Sequence, residues 1–480
     1  MAMLGKKRTP IAKREHRSVP APKPASGDVM IIERLAHDGR GVGRHPDGKT
    51  VFVDRALTGE RVDIAVHRQR RRFDEAHVRQ RQTDAVDRVT PPCEYFERCG
   101  GCDLQHLAVT AQHDHKRRVL AELLSQHAIN RLAGGGDIGD AIEVIAGNDA
   151  GYRRRARLGV KRDANGVIHL GFRSRGSEQL VDIAHCYVLA PRLSALLPAL
   201  RDQLESLEVV RHVGHIELLL ADGGQPVVVV RQLRDVAEDS ARWRDFATRE
   251  SVSVALLKGR EKRTLEWLVS PPALAVSVEG TSGTVSLAVE PGDFLQVNAE
   301  VNQRLIDTAR GWLALSGRER LLDLFAGVGN FSLALAGDVH SVSAVEGSRA
   351  MVERLHANVR RNEITNVTAF QADLAVPGEA LASALADHDT VLLDPPRDGA
   401  DAVCRALATS GVERVLYVSC HAAALARDLA TLCDGGFRLE RLAMADMFAH
   451  TAHLEAVALL TRSAGRSRPA TDSSDSQRAR

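Results

Sequence analysis

From about residue 301 onward the chain keeps one rhythm, and that rhythm constrains its fold more than any other feature. Short apolar runs at Arg320–Leu324, Ser341–Val345, Val391–Leu393 and Val415–Val418 alternate with stretches of helical periodicity. Such runs suit strands buried on both faces, with the intervening helices as covering layers, so the pattern predicts a parallel sheet of βαβ units. Ligands of such sheets bind beyond the carboxyl ends of the strands. The residues that follow each run are therefore the first candidates for function.

The first run leads into Asp323-Leu324-Phe325-Ala326-Gly327-Val328-Gly329-Asn330-Phe331-Ser332. Gly-x-Gly at a strand-to-helix turn lets the backbone approach a ligand, but Ser332 stands where a dinucleotide site has its third glycine. Glu346 ends the second run, seventeen residues past Gly329, where a carboxylate can take both hydroxyls of a ribose. Asp373 follows a third strand and can meet an adenine. Together these favour S-adenosylmethionine over NAD; a tight turn with Glu346 as a helix cap is the plainer alternative. After the fourth run, Asp394-Pro395-Pro396-Arg397 makes a loop stiffened by two prolines.

The fifth run ends Tyr417-Val418-Ser419-Cys420. Cys404 and Cys433 read as small buried hydrophobes, whereas Cys420 ends a strand at the edge where the ligand binds. A thiolate there suits covalent catalysis on uracil: addition at C6 makes C5 nucleophilic enough to accept a methyl group, and a base then removes the C5 proton. Glu455, in His453-Leu454-Glu455-Ala456-Val457, is the candidate base, on or beside a final strand that can return next to the fifth. A solvent-facing strand carboxylate is the bland alternative.

Outside this region the chain divides by composition. Residues 1–26 are basic and aperiodic, a disordered arm, and 464–480 read as a disordered tail. Residues 27–82 carry short β runs between glycine-rich turns, which suits a small all-β barrel. The net charge of +2 hides a gradient: residues 1–90 hold 20 basic against 12 acidic side chains, which points to a polyanionic partner. No apolar run nears the ~18 residues of a membrane span, and no secretory signal is visible, so the expected setting is the cytoplasm. Residues 91–300 mix strands and helices as a central α/β domain, ahead of a domain over 301–463. At its head Cys93, Cys99 and Cys102 flank Gly100-Gly101, and Cys186 can supply a fourth thiolate. Four thiolates fit tetrahedral zinc or a cubane iron–sulfur cluster, and spacing alone does not choose. Gly151-Tyr152-Arg153-Arg154-Arg155-Ala156-Arg157 can grip phosphates while Tyr152 stacks on a base.

The motifs at 323–332, 394–400, 417–420 and 453–457, in that order and preceded by Phe294-Leu295-Gln296-Val297-Asn298, resemble those of the RNA uracil-C5 methyltransferase family. The resemblance implies a Rossmann-like methyltransferase domain, with Cys420 as nucleophile and Glu455 as base. It implies that Gln296, Phe325, Asn330, Glu346, Asp373 and Asp394 line the S-adenosylmethionine site. It also favours a 4Fe-4S cluster on Cys93, Cys99, Cys102 and Cys186, an N-terminal TRAM barrel, and 23S ribosomal RNA as partner of a monomeric enzyme. Two departures stand out: Cys420 is followed by His421-Ala422 where the family has Asn-Pro, and Ala449 replaces the proline before His450. His421 is expected to tune the Cys420 thiol downward if protonated. A radical enzyme using its cluster, a non-catalytic RNA assembly factor, and a methyltransferase for another rRNA site or for tRNA are the competing readings.

Overall fold

The structure, a computed structural model, describes residues 29–234, 236–259, 263–271, 273–376 and 378–462. The arm and tail expected at 1–26 and 464–480 lie outside them. The chain forms two compact units, one comprising residues up to Ala36 together with Arg40–Ala85, the other His37–Gly39 with Val86 onward.

The smaller unit is a six-stranded sheet around Met30, Ile32, Val51, Val53 and Val62. Its first strand, Val29–Ile31, passes close over the third, Gly41–Arg44, because a β-carbon at Gly43 would lie 2.4 Å from the Met30 sulfur. The basic run 68–72 lies at the turn of a long hairpin, Arg61–Gln69 with Phe73–Arg81.

Among the described residues the larger unit holds two large sheets and a two-stranded hairpin. A seven-stranded, mostly antiparallel sheet spans 155–269, with helices Leu196–Ser206 and Ala237–Glu250 contributing Leu197, Leu200, Trp243 and Phe246 to its core. The second sheet carries the predicted βαβ rhythm: β1 Arg320–Leu324, β2 Ser341–Glu346, β3 Val367–Gln371, β4 Thr390–Leu393, β5 Arg414–Ser419, β6 Phe437–Ala445 and β7 Glu455–Arg462. Their order is β3-β2-β1-β4-β5-β7-β6, with Glu143–Ile145 added at the β6 edge. β1 to β5 are parallel, and β7 runs antiparallel between β5 and β6. The order reverses between β1 and β4, the place where open α/β sheets leave a ligand crevice.

The boundary at 300/301 divides the chain in sequence but not in space. Helix Val109–Ser125 sends Val119, Leu120 and Leu124 into a core of the second sheet, and Glu143–Ile145 pairs with β6. Helix Ala299–Leu313, capped by the Asn298 side chain accepting from the Val301 amide at 3.2 Å, packs its stripe of Val301, Leu305, Ile306 and Ala309 on the opposite face. An unexpected hairpin, Ala275–Gly280 with Gly283–Ala288, joins that same core.

Candidate active site

Strand alternation decides which side chains meet. Leu321, Leu392, Val418 and Val457 pack into the core on one face of the sheet; Leu322, Val391, Tyr417 and Ala456 pack into the core on the other. Continued by the two-residue period, Asp323, Asp394, Cys420 and Glu455 all fall on the first face. The register then relates the two residues expected to react. Ser419 lies opposite Ala456 at the end of the β5–β7 ladder, so Cys420 and Glu455 are the next residues beyond it, and the Glu455 charge bears on the Cys420 thiol. Facing residues of an antiparallel pair hold their β-carbons about 4.5–5.5 Å apart.

Burial and mutual charge tune these groups. Burial, reinforced by Asp394 and opposed by Lys116, pushes the Glu455 carboxyl up to about 8. Burial first, then the Asp323 charge, raises Asp394 to about 7. Asp323 is likewise pushed to about 7 by burial, against the hydrogen bond donated by Ser332. The Cys420 thiol is raised by burial, then by Glu455 and Asp394, with Arg397 opposing. Groups poised near neutrality at one strand edge are what proton transfer requires.

His421, which follows this thiol, has a structural partner of its own. Its Nδ1 accepts from the Ala424 amide at 3.3 Å, capping helix Ala422–Asp434. It thereby does at the N-cap what an asparagine does well there. The proline loop is anchored by fully buried Asp428, which accepts from the Tyr417 hydroxyl at 2.6 Å, the Ala400 amide at 2.7 Å and Arg427. Ala449 needs no proline ring to be held: its carbonyl accepts from the Tyr152 hydroxyl at 3.1 Å, and the His450 carbonyl accepts from the Asp103 and Leu104 amides.

Beside the pair lies a cleft at the carboxyl edge of the sheet. Gln296, Phe325, Asn330 and Asp394 line it as expected, joined by Asp323, Arg154 and Phe294. Gly329, at φ 101°, is required: a β-carbon there would lie 2.3 Å from Leu333. Phe325 adopts φ 67°, a strained backbone of the kind found at ligand sites. Glu346 accepts from the Gly327 amide at 3.0 Å and the Ser348 amide at 2.8 Å, which fixes its carboxylate against the glycine loop. Asp373 is exposed at the end of β3, accepts from the Ala375 amide, and is not part of the cleft wall. Asn302 was not anticipated. It and Asn330 exchange two side-chain amide hydrogen bonds of 2.8 and 2.9 Å. The second oxygen of Asp323 is buried without a partner, a free acceptor at the cleft.

The four cysteines also come together. The charges of Cys186, Cys99 and Cys93 all bear on Cys102, whose thiol burial pushes up to about 12. The Gly101 amide donates to the Cys99 sulfur at 3.4 Å. Gly100 must be small, since a β-carbon would lie 2.8 Å from the Arg173 carbonyl. Among the described residues, no three His, Cys, Asp or Glu converge closely enough for a single metal ion. Tyr152 is not the expected stacking platform: it is buried with Phe96, Cys102 and Ala449. Nor is the Arg153-Arg155-Arg157 face free, because Arg155 and Arg157 share Glu217 at 2.6 and 3.5 Å.

The profile of the family described as tRNA (Uracil-5-)-methyltransferase matches residues 111–463, and that of the TRAM domain matches 30–78. The chain is 56% identical over 475 residues to the 23S rRNA (uracil(1939)-C(5))-methyltransferase RlmD of Chromohalobacter salexigens, covering 98% of this chain and 97% of that one. It is 41% identical over 432 residues to the protein of the same description from Pseudomonas putida, covering 90% and 92%. The Pyrococcus abyssi tRNA (uracil-54, C5)-methyltransferase, solved with S-adenosyl-L-homocysteine, superposes with a TM-score of 0.70 over 90% of this chain and 100% of that chain. At 22% identity that likeness speaks for the fold alone. With a family match that takes in the glycine loop, the proline loop, Cys420 and Glu455, this chain belongs to the tRNA (uracil-5-)-methyltransferase family.

Proposed function

We propose that the protein methylates C5 of a uridine in 23S ribosomal RNA, at the position its relatives call 1939, using S-adenosylmethionine. The observation that carries this reading is the β5–β7 register, which leaves Cys420 and Glu455 as the next residues beyond its last pair, beside the cleft. S-adenosylmethionine, when bound, supplies an electrophilic methyl group. Gln296, Phe325, Asn330 and Asp394 in the cleft wall, with Glu346 at the glycine loop, are the residues we assign to it. The free acceptor of Asp323 suits a donor group of that ligand.

In the reaction, the Cys420 thiolate adds to C6 of the ring, and the C5–C6 electrons move to the C4 carbonyl as an enolate. C5 then takes the methyl group. The Glu455 carboxylate removes the C5 proton, the C5–C6 double bond re-forms, and the Cys420 sulfur leaves as thiolate. The Arg397 guanidinium favours the thiolate. The target base must leave its stack to reach this edge, and the TRAM unit is the accessory RNA contact.

We assign a 4Fe-4S cluster to Cys93, Cys99, Cys102 and Cys186. The donor set supports it: the thiols of Cys93, Cys99 and Cys186 all bear on Cys102, and an amide is directed at the Cys99 sulfur. Its task in this reading is to tie residues 93–103 and 186 together, not to take part in methyl transfer. We place the enzyme, as a monomer, in the cytoplasm with its substrate; among the described residues no helix is long and apolar enough to cross a membrane. Mass mapping of 5-methyluridine in ribosomal RNA, from cells with and without the gene, tests the reading. Loss of one methyluridine from 23S RNA is expected; unchanged 23S RNA overturns it.

A further inference from the structure

Helix Val109–Ser125 turns an unusual stripe toward the catalytic sheet: Gln112, His113 and Lys116. Lys116 is 1% exposed. A lysine buried to that degree is rare, and a hydrophobic pair would commonly serve stability as well or better than a buried ion pair. Its ammonium donates to Asp446 at 2.6 Å and to the Phe448 carbonyl at 3.3 Å. His113 meets the other Asp446 oxygen at 3.0 Å. Asp446 directly follows Ala445, and Ala445 is the β6 partner of Glu455. The ammonium is thus anchored one residue from the ladder position that holds the base.

We propose that Lys116 is a positioning residue for the elimination step: anchored on Asp446 and the Phe448 carbonyl, it keeps a fixed positive charge near Glu455 and so favours the carboxylate form of the base. The inference rests on Glu455 being the base. Without that cation, the groups facing Glu455 are burial and the negative charge of Asp394 from the proline loop, both of which favour the protonated acid, with the Cys420 thiol across the ladder. A protonated Glu455 cannot take the C5 proton, so the ring stays bonded to Cys420. The other groups that feel Lys116 are Asp446, held below its ordinary range, and His115, His450 and His453, all pushed down by burial first.

The test is the decay of the covalent protein–RNA adduct, followed on denaturing gels from neutral to alkaline pH with full-length enzyme and substrate RNA. Lys116→Met is expected to form the adduct at the wild-type rate but to resolve it about tenfold more slowly at neutral pH. Its acid limb should move up by about one pH unit, the shift equivalent to that factor, while Lys116→Arg keeps the wild-type limb. Lys116→Met leaves Asp446 buried without its cation, so the double variant Lys116→Met/Asp446→Asn, which removes both charges, is run beside it and should show the same displacement. Asp446→Asn alone keeps the cation and should not move the limb upward. A wild-type limb in a folded variant lacking the lysine overturns the proposal, as does an upward shift in Asp446→Asn. Glu455→Gln separates the two levels: if it resolves the adduct normally, the assignment of the base has failed, whereas a persistent Glu455→Gln adduct with an unmoved Lys116→Met limb condemns the lysine alone.

Discussion

Asp323, Asp394 and Glu455 share one face of the sheet and are all held above the ordinary carboxylate range by burial. For Glu455 the folded value of about 8 exceeds the ordinary 4.5, so the folded chain binds the proton more tightly than the unfolded chain. That contribution to stability is full below about pH 4.5 and is lost as pH rises through about 8. Glu455→Gln has no such proton to lose. Its stability in urea should therefore fall less than wild type between neutral and mildly alkaline pH, by about 1 kcal/mol. Equal slopes would contradict the buried setting of this carboxyl. With Glu455 as the proposed base, resolution of the covalent adduct should quicken with pH toward about 8. For the nucleophile, Cys420→Ala should abolish methyl transfer while leaving RNA binding measurable by filter retention; a 5-fluorouridine substrate should link to wild type and not to this variant. The candidate residues could be picked out of the chain because they lie at or beside strand ends. The tuning could not: Lys116, Asp323 and Asn302 act through contacts made between distant segments, and no local spacing marks them.

At the scale of elements, the loops around Cys420 are held by capping and by one buried carboxylate. His421→Ala should lose the cap and cost about 1 kcal/mol in chemical denaturation, and His421→Asn should restore it. Asp428→Ala leaves the Tyr417 hydroxyl and the Ala400 amide without their acceptor and should cost about 2–4 kcal/mol. Because Ala400 closes the Asp394 loop, its cofactor affinity should fall as well, which calorimetry can check. Strands β1, β2, β4 and β5 were legible to within a residue or so, since fully buried parallel strands are continuous apolar runs. Phe73–Arg81 and Phe437–Ala445 were not. The first is mostly polar, and the second, Phe-Arg-Leu-Glu-Arg-Leu, spaces its apolar residues irregularly around a shift in register between Leu439 and Arg441. Glu143–Ile145 has three residues, too few for any periodicity.

Across the whole molecule, composition separated the ends and the small β unit but could not show that residues 109–145 pack on the catalytic sheet. Sequence order hides that return, which only the pairing of Glu143–Ile145 with β6 reveals. The cysteine centre shows the same long-range economy: residues 93–104 hold the loop before Glu455 through the His450 carbonyl and through Asp103, which accepts from the Ala452 amide at 3.1 Å. Purified without oxygen, the protein should be brown and hold about four iron atoms per chain. Cys186→Ser should bleach that colour and lower the melting temperature, and a colourless zinc protein would refute the cluster.

The distance between sulfur and carboxylate is written in ladder hydrogen bonds, with one partner at the exit of a strand and the other at the entrance of its neighbour. A gauge of that kind does not stretch when the outlying modules are exchanged. Such a core can pass from one nucleic-acid target to another with its bond-making geometry intact, while everything that chooses the target evolves around it.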